Sequence, residues 1–255
     1  MEQLLYITLI FLVPWIGTTL GSAGVFFLKK QLSNKFQKLI LGFASGVMIA
    51  ALFWSLLLPA IESDGIVPAI IGFSLGIVVL LLFDNITPHL HLDSDRAEGP
   101  RSKLGKSALL IFAIVLHNIP EGLAVGSSAG VMVSDSIDFS FAGVLALSIG
   151  IALQNVPEGL VVALPLYEAG HGKLKAFIQG SLSGIVEPVA SVLAFFLIGG
   201  ISSLLPYLLS FAAGAMFYVV LEELVPETAQ GEHSNLGVIG SSFGFVLMMI
   251  LDGVF

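Results

Sequence analysis

The sequence predicts an all-α integral membrane protein of eight transmembrane helices, with inverted pseudo-symmetry and both termini extracytoplasmic. Three observations carry that prediction. Of 255 residues, 56% are hydrophobic and 11% charged, against roughly 25% charged in soluble domains. The mean hydropathy is +0.99, so a soluble fold would have no surface to offer water. The charge-poor runs are long enough to cross a bilayer. All ten Lys and Arg residues fall in alternate loops between those runs.

The runs define spans at about 4–28, 39–61, 65–86, 107–130, 139–167, 174–199, 203–224 and 234–253, with a cytoplasmic loop at 87–106, and the whole reads as one transmembrane domain. The first run follows only Met1, Glu2 and Gln3; with no basic segment before it, it reads as a retained helix rather than a cleaved leader. The fourth run is broken by His117 and Glu121, the fifth by Glu158. The stretch 176–221 holds one charge, Glu187, and is too long for one helix; Gly199-Gly200, Ser202-Ser203 and Pro206 divide it.

Orientation follows from the basic residues. Lys29, Lys30, Lys35 and Lys38 lie between spans 1 and 2; Arg96, Arg101, Lys103 and Lys106 between spans 3 and 4; Lys173 and Lys175 between spans 5 and 6. Basic loops stay cytoplasmic, and an even number of spans then puts both ends outside. Cysteine is absent, which excludes disulfides, thiolate metal sites and cysteine nucleophiles. The net charge of −8 speaks against nucleic acid as a partner.

The chemistry lies in a duplicated intramembrane motif. Span 4 carries His117-Asn118-Ile119-Pro120-Glu121-Gly122-Leu123-Ala124-Val125-Gly126, and span 5 carries Gln154-Asn155-Val156-Pro157-Glu158-Gly159-Leu160-Val161-Val162-Ala163. Six of the ten positions are identical, in helices that run in opposite directions. Inverted repeats often place a substrate site near the membrane midplane. Residues i and i+4 share a helix face, so His117 and Glu121 stand together, with Asn118 beside them. Gln154, Asn155 and Glu158 repeat the arrangement. Pro120 and Pro157 each free a carbonyl one turn earlier. The two helices together offer two carboxylates, one imidazole and three amides, a set that suits a borderline divalent cation.

Glu187, beside Pro188 in span 6, adds a third acid at membrane depth. Such groups are costly in lipid unless paired or metal-bound. Converging carboxylates would share protons and release some when metal arrives. Any one of these residues alone is explained as well by a structural interhelical hydrogen bond; the duplicated motif with a third acid is not. Met48, taken alone, reads as packing. Asp84, Glu222 and Glu223 near inner helix ends, and Glu62 and Asp64 at an outer end, read alone as acids placed near water. The loop with His89, His91, Asp93, Asp95 and Glu98 reads as a solvated linker, or as a weak capture site, because two imidazoles make a loose one.

These residues resemble the ZIP (Zrt-/Irt-like) family of divalent metal transporters, in its bacterial branch. The resemblance covers nearly the whole chain and rests on the two PEG motifs, the Glu187-Pro188 pair and Val225-Pro226-Glu227 after span 7. It implies transport of divalent transition-metal ions into the cytoplasm through a two-metal centre between spans 4, 5 and 6. One position would use His117, Glu121, Gln154 and Glu158, with Met48. The other would use Asn118, Asn155 and Glu187, with Glu121 and Glu158 bridging. Ser55 and Glu62 would lie on the way in; Asp84, His89, His91, Glu222 and Glu223 on the way out. An elevator-like motion of spans 1, 4, 5 and 6 against spans 2, 3, 7 and 8 is implied as well. Some bacterial relatives carry Asp at the position of Asn155 and some carry His at the position of Glu222, so this chain differs at both.

The expected substrate is Zn²⁺, with Cd²⁺, Fe²⁺, Mn²⁺ and Co²⁺ also accommodated. The metal is cargo, and no cofactor is expected. The expected partners are the ion, the lipid bilayer of the bacterial cytoplasmic membrane and, in a homodimer, a second copy. An enzyme is not expected, since an intramembrane metalloprotease needs a pair such as H-E-x-x-H and the spans hold one His. A proton- or sodium-coupled carrier of another solute is the main alternative; it explains the acids but not the imidazole and amides beside them.

Overall fold

The computed structural model describes residues 2–27, 32–87, 106–134, 140–229 and 234–254. Among these the regular structure is helical. We number the helices α1 (Glu2–Ser22, extended by a 3-10 turn to Phe26), α2 (Asn34–Asp64), α3 (Ile66–Ile86), α4 (Lys106–Ser134), α5 (Phe141–Glu168), α6 (Lys173–Gly200), α7 (Leu205–Ala229) and α8 (Leu236–Val254). Among the described residues, α1–α3 and α5–α8 are each long and apolar enough to cross a membrane by length and composition. Most of the large exposed side chains are aliphatic or aromatic, with Leu193, Phe196, Val238 and Phe243 among the most exposed. Such a surface suits lipid rather than water. The chain is therefore a multi-pass helical membrane protein.

Four helix pairs pack most closely: α1 with α5, α4 with α6, α2 with α8, and α3 with α7. Each is a glycine seam. A Cβ on Gly17 or Gly21 would strike the α5 backbone at Ala152 or Val156, and one on Gly159 would strike Thr18. Gly122 and Gly126 meet Glu187 and Ser191; Gly42 and Gly46 meet Gly237 and Ser241; Gly76 and Gly214 meet Phe211 and Phe73. Membrane helices gain nothing from burying apolar surface that lipid would cover equally well, so close backbone approach at small residues is what holds them. Between pairs, α4 packs on α7 and α2 on α5.

Prolines set the irregular points. Pro14 has no N–H for the Ile10 carbonyl, and the Ser148 hydroxyl of α5 donates to that carbonyl at 2.7 Å. α6 breaks at Gly184–Ile185, where Pro188 cannot serve Gly184; the Glu187 N–H donates to that carbonyl instead at 3.1 Å. α2 and α7 each contain a π-helical turn, Leu52–Leu57 and Val220–Leu224. Each ends two residues before a proline, Pro59 or Pro226, with an N–H bonded five residues back. The same two helices share a motif that the sequence reading passed over: Phe43-Ala44-Ser45-Gly46-Val47-Met48 and Phe211-Ala212-Ala213-Gly214-Ala215-Met216, identical at four of six positions. The turn between α2 and α3 is made by Gly65 at φ +85°, a left-handed conformation that side chains disfavour.

Candidate metal centre

The two motif copies meet inside the molecule, on α4 and α5. Asn118, Glu121, Gln154, Asn155 and Glu187 are all buried. The Gln154 amide donates to Glu121 Oε1 at 2.5 Å, which joins the copies directly. The Asn155 amide donates to Glu187 Oε2 at 2.8 Å and to the Pro14 carbonyl at 3.3 Å. Asn118 donates to the Ser183 carbonyl at 3.4 Å. Glu158 lies within electrostatic reach of His117, Glu121, Glu187 and Glu223. Three acids, one imidazole and three amides therefore share one region, drawn from α4, α5 and α6.

The unpaired atoms are the informative ones. Asn118 Oδ1, Glu121 Oε2, Gln154 Oε1 and Asn155 Oδ1 are buried oxygens without a hydrogen-bond partner. Each amide spends its N–H donors on a neighbour and keeps its carbonyl oxygen free. A buried acceptor left unsatisfied costs about 1–3 kcal/mol, so four in one cluster call for an explanation. Oxygen lone pairs pointing into a shared interior suit a cation. As placed, no three His, Asp or Glu side chains among the described residues form a ready-made cage. The polar groups hold one another instead, and an incoming ion would exchange those bonds for its own.

His117 is held from the other side. Its Nδ1 lies 2.9 Å from Glu223 Oε2 on α7. A cavity of about 30 Å³ beside this pair is lined by His117, Asn118, Glu158, Val219 and Glu223, among others. That exceeds the 10–15 Å³ or so that one water needs. A larger cavity of about 230 Å³ lies between Leu32, Asn34 and Gln37 on one side and Leu164, Pro165 and Glu168 on the other. It contains no ionisable motif residue, so size does not mark the site here.

The other sequence-predicted residues scatter around the centre. Met48 is fully buried in the main core. Ser55, in the π turn of α2, donates to Asp252 Oδ1 of α8 at 2.7 Å. Glu62 and Glu222 are exposed. Asp84 of α3 accepts from the Tyr218 hydroxyl of α7 at 2.8 Å, and Tyr218 in turn feels the charges of Glu222 and Glu223. His89 and His91 lie outside the described residues. Sequence reasoning missed Asp252, a lone acid near the end of an apolar run, and Tyr218, whose hydroxyl signals nothing in a sequence. It also missed Thr18, which donates to Glu187 Oε1 at 3.1 Å.

The family model described as ZIP Zinc transporter matches residues 91–252. The chain is 34% identical to the zinc transporter ZIP11 of Bos taurus, over 92% of this chain and 93% of that protein. It is also 34% identical to the zinc transporter GufA of Myxococcus xanthus, over 94% and 95%, and to the zinc transporter ZIPB of Bordetella bronchiseptica, over 88% and 73%. The chain belongs to the ZIP family. Both PEG copies, Glu187 and the π turn of α7 fall within the segment matched to the ZIP model. The ZIP relatives include animal as well as bacterial proteins, and the similarity extends over nearly the full chain in each kingdom.

Proposed function

We propose that this chain carries divalent transition-metal ions, zinc foremost, across the bacterial cytoplasmic membrane into the cell, through a two-metal centre between α4, α5 and α6. The cluster of unpaired buried oxygens at Asn118, Glu121, Gln154 and Asn155 carries the reading. His117, Glu121, Gln154 and Glu158, with the Met48 thioether, make the first position; Asn118, Asn155 and Glu187 the second, with Glu121 and Glu158 bridging. The zinc-transporter names of its relatives agree.

α4, 29 residues and therefore about 43 Å long, is the eighth span. Both termini are then extracytoplasmic, and α1–α3 repeat in α6–α8 with inverted sense. The matched motifs of α2 and α7 and the matched π turns support this. The four tight pairs sort into two bodies, α1, α4, α5 and α6 against α2, α3, α7 and α8, and this division suits an elevator-like motion. The ion would pass Ser55 and Glu62 on the way in and be handed from His117 to Glu223. Glu222, Asp84 and the histidines His89 and His91 would receive it on the cytoplasmic side.

Metal uptake into proteoliposomes, measured with a panel of divalent ions, tests the proposal. Saturable Zn²⁺ uptake that Cd²⁺ competes is expected. Uptake of an organic solute driven by protons or Na⁺, with no response to any metal, would overturn it.

A further inference from the structure

Two of the tight helix seams share the same glycine contact and the same hydroxyl-to-carbonyl bond, and the repeat points to a residue on α1. On the α4–α6 seam, Gly122 packs against the backbone of Glu187. Its carbonyl accepts from the hydroxyl of Ser191, four residues further along α6, at 3.0 Å. On the α1–α5 seam, Gly159 packs against the backbone of Thr18. Its carbonyl accepts from the hydroxyl of Ser22, four residues further along α1, at 3.2 Å. Gly122 and Gly159 are equivalent positions of the two PEG motifs. Thr18 is therefore to α1 what Glu187 is to α6.

The two equivalents touch. Thr18 is buried, with 1% of its surface exposed, and its hydroxyl donates to Glu187 Oε1 at 3.1 Å. Asn155 holds the other oxygen, Oε2, at 2.8 Å. Glu187 is thus fixed by one donor from each of two helices, and both donors belong to the body that carries the PEG motifs. We propose that Thr18 is a positioning residue of the metal centre, which aims the Glu187 carboxylate at the ion through its hydroxyl. This rests on the metal-centre reading above. The hydroxyl donates to one carboxylate oxygen and leaves the lone pairs of the other for the metal once Asn155 is displaced. Ligating carboxylates are commonly oriented by a hydrogen bond of this kind, and losing the donor typically weakens metal binding 10–100-fold.

The test uses four purified full-length proteins: native, Thr18→Val, Thr18→Ser and Ser22→Ala. Val keeps the branched shape and removes the hydroxyl; Ser keeps the hydroxyl. Ser22→Ala loosens the same helix seam without touching Glu187. Each protein is checked by thermal melting and titrated with Cd²⁺ by calorimetry, with the bound metal counted. Thr18→Val is expected to weaken one bound ion by about 10–100-fold, or to remove it from the count. Thr18→Ser should stay within a few-fold of native, and Ser22→Ala should bind as native even if it melts lower. In a Glu187→Gln background, Thr18→Val should have no further effect. Native-like binding by Thr18→Val, or a Thr18→Ser protein as weak as Thr18→Val, overturns the role of Thr18 and leaves the metal centre standing. A native protein that binds no Cd²⁺ overturns the metal centre and Thr18 with it.

Discussion

Neighbouring amides on α5 reach different acids: Gln154 holds Glu121 and Asn155 holds Glu187. That division shows how two of the buried acids are kept in place, with Glu121 and Glu187 each given an amide N–H donor while the amide carbonyl oxygens stay open. Glu121 and Glu158 are shared by both proposed positions, so replacing either with Ala should reduce Zn²⁺ uptake in proteoliposomes to background. Asn118→Ala should cost about tenfold or less, the scale of one net hydrogen bond. Normal uptake by a well-folded Glu121→Ala protein would rule the centre out. Metal ligands must be deprotonated to bind, and the centre gathers three glutamates and one histidine. Acidification is therefore expected to weaken Zn²⁺ binding, because protons compete for the same lone pairs, and metal arrival should release protons. Calorimetry in buffers of different ionisation enthalpy measures this directly. A binding heat that does not change with the buffer would mean that no net protons leave.

At the scale of elements, the glycine seams and the proline breaks place the chemistry. Gly159 allows α1 to approach α5 until the Thr18 backbone blocks any side chain there. Gly159→Val should therefore destabilise the protein by about 1–3 kcal/mol or more, as overpacking does, with a lower melting temperature in detergent. Gly199→Ala, where nothing lies within 4 Å, should melt as native. Equal melting of the two variants would mean that the α1–α5 seam yields freely. The π turns are the second device. They place Ser55 on α2 and Glu222 and Glu223 on α7 at the irregular point of each helix, where such turns often serve function.

On the scale of the whole molecule, the basic residues predict the orientation, since basic loops stay cytoplasmic. Lys103 should lie inside the cell. A Lys103→Cys variant has a single thiol, because the native chain has no Cys. An impermeant maleimide applied to intact cells should leave it unlabelled, and permeabilisation should expose it. Labelling from outside would invert the topology. Across the two proposed bodies, His117 of α4 lies 2.9 Å from Glu223 of α7. It joins a proposed ligand on one body to a proposed receiving acid on the other.

The sequence by itself determined the helical membrane class, the apolar runs and the chemical inventory of the proposed centre. These follow from local rules: lipid admits no unpaired backbone, helices need about 20 apolar residues to span, and acids at that depth are too costly to be idle. A duplicated motif is legible because it is a pattern along the chain. Which polar group holds which was decided only by the tertiary structure. The partner of Glu187 on α1 lies 169 positions away, the partner of Ser55 on α8 lies 197 away, and His117 meets Glu223 across two helices. Thr18, Tyr218 and Asp252 carry no local mark of their roles. A hydroxyl or a lone acid gains meaning from the atom opposite it, and helix packing, set by backbone approach at glycines, supplies that atom.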